Sequence, residues 1–288
     1  MPTYASARPL QSAMSLAMSS AMSTAIALAM SLAITAMPLR ALAQTQDPPQ
    51  KPSGWQGGEI YASSHALSDG YGDWHEAGLR GIYQNDAHIF GGEISTMTRF
   101  NEKGNFLGVS DTVILSPEWY AFLGVGAGDG AAYLPRYRVD AFIHRKLLSE
   151  KNLIVSLGAG TYRAPDGHQD NNVSIGMTLY TAMPLIIQAE AKRTRSNPGR
   201  IQTDQFFVAA TWGHDKQTRI IGRYGWGDEG YQSLGADMFI SRFASRQTNL
   251  TVKHWLGRDW GIKAGAERYK NPFYQRNGLS LALFKDWS

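Results

Sequence analysis

The chain has no cysteine among its 288 residues, which excludes disulfides, thiolate metal ligands and the common zinc spacings. Beyond residue 43 it has no run of about 18 apolar residues, so no helix of the mature region is long enough to cross a bilayer. An excess of one charge is missing too. Residues 1–43 carry Arg8 and Arg40 and no acid, so their removal leaves 26 basic against 24 acidic residues, a net charge of +2 that makes no case for nucleic acid. The glycine-rich run 124–130 lacks the Lys-Ser/Thr and the following helix of a phosphate cradle, and dinucleotide, heptad and metalloprotease patterns are absent. Nothing in the residues implies a metal or a cofactor.

What the sequence does have is alternation. In the last stretch Leu279, Leu281 and Leu283 point one way while Gly278, Ser280 and Ala282 point the other. An apolar row facing lipid with small or polar residues facing inward is the pattern of a membrane-spanning barrel strand. Lipid satisfies no backbone group, so only a closed sheet can pair them all. The 30 glycines, 8 tryptophans, 13 tyrosines and 11 phenylalanines suit such strands and their interfacial girdles.

Residues 1–43 read as a signal peptide, with an apolar stretch from Met14 to Met37 and the small-residue site Ala41-Leu42-Ala43. Residues 44–53 read as a polar, proline-broken periplasmic tether, and residues 54–288 as a single outer-membrane β-barrel. Fifteen strand candidates follow: 54–63, 74–84, 87–98, 105–116, 118–127, 135–148, 151–163, 169–182, 184–196, 201–213, 216–226, 230–242, 246–256, 259–269 and 276–287. Turn signals divide them, including Asn85-Asp86, Glu102-Lys103-Gly104, Asn197-Pro198-Gly199 and Asp228-Glu229-Gly230. A single-chain barrel has an even number of strands, so the expectation is an all-β, antiparallel up-and-down barrel of 14 strands, with 12 as the next choice. The surplus strand is expected after residue 242.

The final strand also fits the assembly signal of outer-membrane barrels, a polar residue, a glycine and two spaced apolar residues, at Arg276, Gly278, Leu281 and Leu283. The barrel-assembly machinery is therefore an expected partner, with outer-membrane lipid and lipopolysaccharide around the finished barrel.

Period-two parity divides side chains between faces. Arg136, Arg138, Asp140 and His144 share one face, Gln188, Glu190 and Lys192 another inward row, and Arg219 and Arg223 lie opposite Ile220. Glu93, Lys263 and Glu267 are further inward candidates. A mixed-charge interior is either a lumen closed by cross-strand salt bridges or a narrow hydrated pore acting on a passing solute. Trp74, Trp119, Tyr120, Tyr133, Tyr137, Trp212, Trp226, Tyr231, Trp255 and Trp260 lie near strand ends, as girdle residues do, and Tyr71, Trp74, Tyr133 and Tyr231 are alternatively sugar-stacking residues of outer loops.

Eight segments in order carry a family resemblance: Leu67–Trp74, Leu123–Gly126 with Gly128-Asp129-Gly130, Leu134–Tyr137, Arg195–Gly199, Thr211–His214, Gly227–Tyr231, Trp255-Leu256-Gly257 with Trp260-Gly261, and Tyr274–Gly278. Through them the chain resembles the YaiO family of outer-membrane β-barrels over residues 55 to 287. The resemblance implies an outer-membrane barrel and carries over no catalytic residue.

The functional expectation is a non-enzymatic envelope protein, either a small selective pore or a polysaccharide-associated barrel, lined by Glu93, Arg136, Arg138, Asp140, Glu190, Lys192, Arg219 and Arg223. The alternative is a rim enzyme acting on lipid or peptide. It draws on Ser63, Ser64, His65, Ser68, Asp69, Asp73 and His75 in the first outer connection, or on His168 with Asp166 and Asp170.

Overall fold

The computed structural model describes residue 54, residues 56–235 and residues 238–287; the expected signal peptide and tether lie outside the described residues. The described chain is all strand and turn: β1 (Gln56–Leu67), β2 (Trp74–Gln84), β3 (His88–Arg99), β4 (Glu102–Ile114), β5 (Trp119–Gly128), β6 (Tyr137–Leu147), β7 (Leu153–Arg163), β8 (Gln169–Tyr180), β9 (Leu185–Asn197), β10 (Ile201–Gly213), β11 (Thr218–Gly235), β12 (Met238–Trp255), β13 (Trp260–Lys270) and β14 (Gln275–Trp287). Each pairs antiparallel with its sequence neighbours, and β1 closes on β14 from Gln56↔Trp287 to Leu67↔Arg276. Closure leaves no free edge, so every strand is paired on both sides as a bilayer demands.

The alternation reads directly onto the surface. Leu79, Ile94, Leu107, Leu123, Leu157, Val173, Leu250 and Leu283 point outward and are exposed, forming the apolar band. Their neighbours point inward and carry the polar and charged groups. Both ends of the described chain lie at one end of the barrel, the near end. There the turns are tight and locally satisfied: the Asn85 side-chain Oδ1 accepts from the amides of Ala87 and His88, and the Ser116 hydroxyl from those of Glu118 and Trp119. At the far end lie the two longest connections, 68–73 and 129–136.

The count of 14 agrees with the expectation, but the surplus strand was misplaced. It straddles the real hairpin before residue 242, because Asp228-Glu229-Gly230 is not a turn. β11 runs through it to Gly235. Gly227 and Gly230 are small for packing reasons. At Gly227 (φ +135°) a Cβ would meet the Asp204 carbonyl oxygen at 2.2 Å, and at Gly230 it would meet the Ser196 hydroxyl at 2.2 Å. Likewise Glu102–Gly104 belongs to β4, and the turn is Phe100–Asn101, both left-handed. A Cβ at Gly104 would meet Leu134 and Ala131 at 2.7 Å, so this glycine makes room for a loop instead of forming a turn.

β10 stops pairing with β11 at Gln205↔Gly227, and β13 stops pairing with β12 at Lys270↔Arg246. The two strands continue as a ribbon roughly 25 Å long at about 3.3 Å per residue. An isolated ribbon is marginal in water. This one leans across the mouth and packs.

Candidate functional site

Two caps close the far mouth. The first is the β11–β12 ribbon. Leu234 joins Tyr269 and Tyr274 in a buried cluster flanked by Leu67, Tyr71, Phe100 and Ile240. Gln232 donates to the Tyr274 hydroxyl, while Tyr231 donates to Asp166 and stacks on His168 at 3.7 Å across the mouth. The ribbon thereby ties the β7–β8 loop to the β13–β14 turn. Burial pushes the Tyr274 hydroxyl up to about 12. The second cap is the β5–β6 loop. Leu134 and Ala131 bury against Met97 and Phe106, and the Tyr133 hydroxyl donates to the Met97 carbonyl oxygen at 2.8 Å. At its root the Asp129 carboxyl is held below its usual range by hydrogen bonds from Asn105.

Beneath the caps the lumen has two unlike halves. Along β1–β3 and β12–β14 the inward side chains form a nearly continuous ladder of ion pairs. Glu59 pairs with Lys263 and, at 3.5 Å, with Arg80, which reaches Glu93 at 3.2 Å. The Tyr61 hydroxyl contacts Glu93 at 2.7 Å and Glu76 at 2.9 Å, and Arg99 approaches Glu76 at 3.9 Å. Nearer the far mouth Arg276 donates twice to Glu267, at 2.8 and 2.7 Å, between the rings of Trp74 (4.0 Å) and Tyr269 (4.6 Å). His65 lies 3.4 Å from the same carboxylate, which also accepts from Gln247 and Asn249. Lys263, Arg80, Arg99 and Arg276 balance Glu59, Glu93, Glu76 and Glu267. This half is the more tightly packed, with Ser63 and Arg276 at 0% exposure and Lys263 left half-buried.

The wall formed by β8–β11 is different. Gln188, Glu190, Lys192 and Thr194 of β9 face inward and are only half-buried, as are Asn172, Gln205, Phe207 and Arg223 on the adjoining strands. Small residues keep it low: at Gly176 a Cβ would find no atom closer than 3.4 Å. Arg223 and Lys192 both sit over the Phe207 ring, at 4.5 and 5.7 Å. Opposite them Arg138 of β6 donates to Asp140 at 2.5 Å. Nearer the other end Arg219 and Lys253 share the Trp255 ring, at 6.0 and 4.2 Å.

The candidate residues therefore divide. Glu93 belongs to the packed ladder; Arg138, Asp140, Glu190, Lys192 and Arg223 face the accessible half; Arg219 lies buried toward the near end. Arg136 precedes β6 in the rim loop and is exposed there. Of the assembly-signal residues, Leu281 and Leu283 face lipid, whereas Arg276 is wholly interior. Gly278 lies under the His65 ring, where a Cβ would approach Nδ1 to 2.2 Å.

The aromatic expectations divide by parity. Trp119, Tyr137, Trp212, Trp226 and Trp260 face outward, joined by Tyr83, Tyr224 and Trp287. Trp74, Tyr120 and Trp255 instead point inward, Trp74 under Arg99 and Arg276, and Tyr120 on His144 at 4.4 Å. Tyr133 and Tyr231 are cap residues. Phe207 went unnoticed in the sequence although parity marks it, since Phe206 beside it faces lipid.

The enzymatic candidates are partly assembled. Ser64 and His75 are cross-strand neighbours with Oγ 3.1 Å from Nδ1, on the outward face. Ser63 and His65 point into the lumen, and His168 Nε2 is held at 2.8 Å by Asp170, buried beneath Tyr231. Among the described residues no cluster of His, Asp and Glu is arranged to hold a metal.

A closed 14-stranded barrel with an apolar belt and a charged interior is an outer-membrane β-barrel. The sequence model of the YaiO membrane beta barrel domain matches residues 56–232, and the chain belongs to that family. Comparison with curated protein sequences finds no match. Among solved structures it is similar to the CymD monoaromatic hydrocarbon channel (6% identity, 83% of this chain and 89% of that one, TM-score 0.56) and to an outer membrane channel from Pseudomonas putida F1 (8%, 84% and 100%, TM-score 0.53). A third is a bacterial polysaccharide outer membrane secretin (9%, 83% and 100%, TM-score 0.52). At these identities the likeness is one of fold.

Proposed function

We propose that this barrel is a non-enzymatic outer-membrane channel in which a narrow hydrated path follows the β8–β11 wall and carries small or carbohydrate-linked anionic solutes. The observation that carries the proposal is the asymmetry of the lumen. One half is laced by a ladder of short ion pairs, while in the other Lys192 and Arg223 converge, half-buried, on the Phe207 ring. Cations along a constriction select anions by offsetting the cost of leaving bulk water. Channels and a polysaccharide secretin among the fold's neighbours are consistent with this reading, and the ribbon serves as its gate.

The test is single-channel current from protein purified from outer membranes and inserted into planar bilayers. Lys192→Glu with Arg223→Glu should turn anion preference into cation preference, read as a change of sign in the reversal potential under a salt gradient. An unchanged reversal potential would reject the path. A second reading, a rim enzyme acting on lipid or peptide, has the Ser64–His75 contact in its favour. Loss of a lipid- or peptide-cleaving activity in His75→Ala with His168→Ala would support it, and full retention would end it.

A further inference from the structure

The outer surface is not symmetric from end to end. Between the aromatic levels it is apolar, but at the far rim β12 and β13 turn three basic side chains outward. On β12, β13 and β14 the registers stack these positions into rows. Trp226, Arg246, Lys270 and Gln275 form one row, and Tyr224, Thr248, Arg268 and Asn277 the next. Leu250, Ala266 and Leu279 form the apolar row directly below. Arg246, Arg268 and Lys270 are all exposed. Arg246 and Lys270 are directly opposite, so their Cβ atoms are about 5 Å apart, and Arg268 is about 7 Å away along the strand.

Three further observations bear on what occupies this face. First, its cations are uncommitted. Among the described residues no carboxylate is within ion-pair distance of the three, and their one side-chain hydrogen bond is Arg268 to Gln275 at 3.5 Å. Asp228, the outward acid of that region, sits opposite Ala244. By contrast, Arg193 on β9 is already neutralised by Asp204 at 2.7 and 2.9 Å. Second, among the described residues the near rim has no such stacked row: Arg145 and Lys285 lie on distant strands over the Trp119 and Trp287 rings, and Lys151 pairs with Glu118 and His88 with Asp111. Third, the height matches a headgroup. From Trp260 to Lys270 β13 advances roughly 33 Å at about 3.3 Å per residue. At a tilt of about 40° that is about 25 Å of membrane, the height of the apolar band.

We infer that the outward face of β12–β14 at the far rim binds the phosphorylated headgroup of an outer-leaflet glycolipid, with Arg246, Arg268 and Lys270 on its phosphates and the Leu250–Ala266–Leu279 row against its acyl chains. The far end faces outward because the longer connections and the ribbon lie there, opposite the short turns. Guanidinium groups are suited to phosphate because they donate in pairs. The site flanks β12, whose projecting half forms the cap, so a bound lipid holds the root of the gate.

The test is native mass spectrometry of the full protein extracted from outer membranes in mild detergent, with added bisphosphorylated lipid A as probe. The wild type should retain the lipid, and R246Q/R268Q/K270Q should retain about tenfold less. R145Q/R258Q/K285Q, which removes the same charge at the near end, should bind like wild type. Lipid A stripped of both phosphates should not bind. Folding is read from the shift in gel migration on boiling. Should the triple variant fail to fold, R268Q alone serves, since it loses one contact. Equal retention by the far-rim variant, or equal binding of the dephosphorylated lipid, would overturn the proposal.

Discussion

The β1–β3/β12–β14 half of the lumen and the β8–β11 half are built from the same kinds of residue and end in opposite states. The first places four cations against four acids with aromatic rings between them. The second places Lys192 and Arg223 on a phenylalanine and keeps the wall low with glycine. The two readings of a mixed-charge interior, closed by salt bridges or hydrated, thus describe different walls of one barrel. What separates them is side-chain volume and registration, not composition.

The largest effect should come from breaking the packed wall. Arg276→Ala leaves Glu267 buried without its counter-ion and should destabilise the barrel by about 3–5 kcal/mol, measured by urea unfolding in micelles. The corresponding loss on the accessible wall, Lys192→Ala, should cost less because Lys192 is half-buried. Next is the ribbon. Replacing residues 231–241 by an Asn-Gly turn removes the cap at Leu234 and Tyr231 and should raise single-channel conductance severalfold while the barrel still shows its gel shift; unaltered conductance would place the constriction elsewhere.

Glycine substitutions sharpen the comparison further. Gly278→Ala drives a methyl into the His65 ring and should cost about 1–3 kcal/mol. Gly176→Ala meets nothing closer than 3.4 Å and should be nearly neutral, with a small fall in conductance. The smallest effect is one of pH. The Tyr274 pKa is raised in the closed state from 10 to about 12, so the neutral phenol's contribution to closure is complete below pH 10 and is lost as pH rises through about 12. Conductance should therefore rise over that interval, and Tyr274→Phe should remove the dependence.

Most of the barrel was legible because lipid enforces a strict period. Strands 74–84 and 201–213 were placed at their observed limits, and parity put Arg138, Asp140, Glu190 and Lys192 inward. The failures share one cause. Asp228-Glu229-Gly230 and Glu102-Lys103-Gly104 have turn composition, but their glycines are there because Ser196 and Leu134 approach the backbone. Such contacts are made by residues distant in sequence and leave no local signature. The same applies to Trp74 and Trp255, whose positions near strand ends suggested girdles, while only the face they occupy shows that they stack under cations inside. The division of the lumen was beyond the sequence altogether, since it depends on which charges meet across the barrel.

The absence of cysteine makes the decisive measurement clean. Single cysteines are introduced at Gln188 and Gln205 on the accessible wall and at Ser63 and Ser95 on the packed wall, and a charged, water-soluble thiol reagent is applied to the folded barrel during current recording. The account predicts rapid labelling and block for Gln188→Cys and Gln205→Cys, with Ser63→Cys and Ser95→Cys inert. Equal labelling on both walls, or labelling without any change in current, would contradict it.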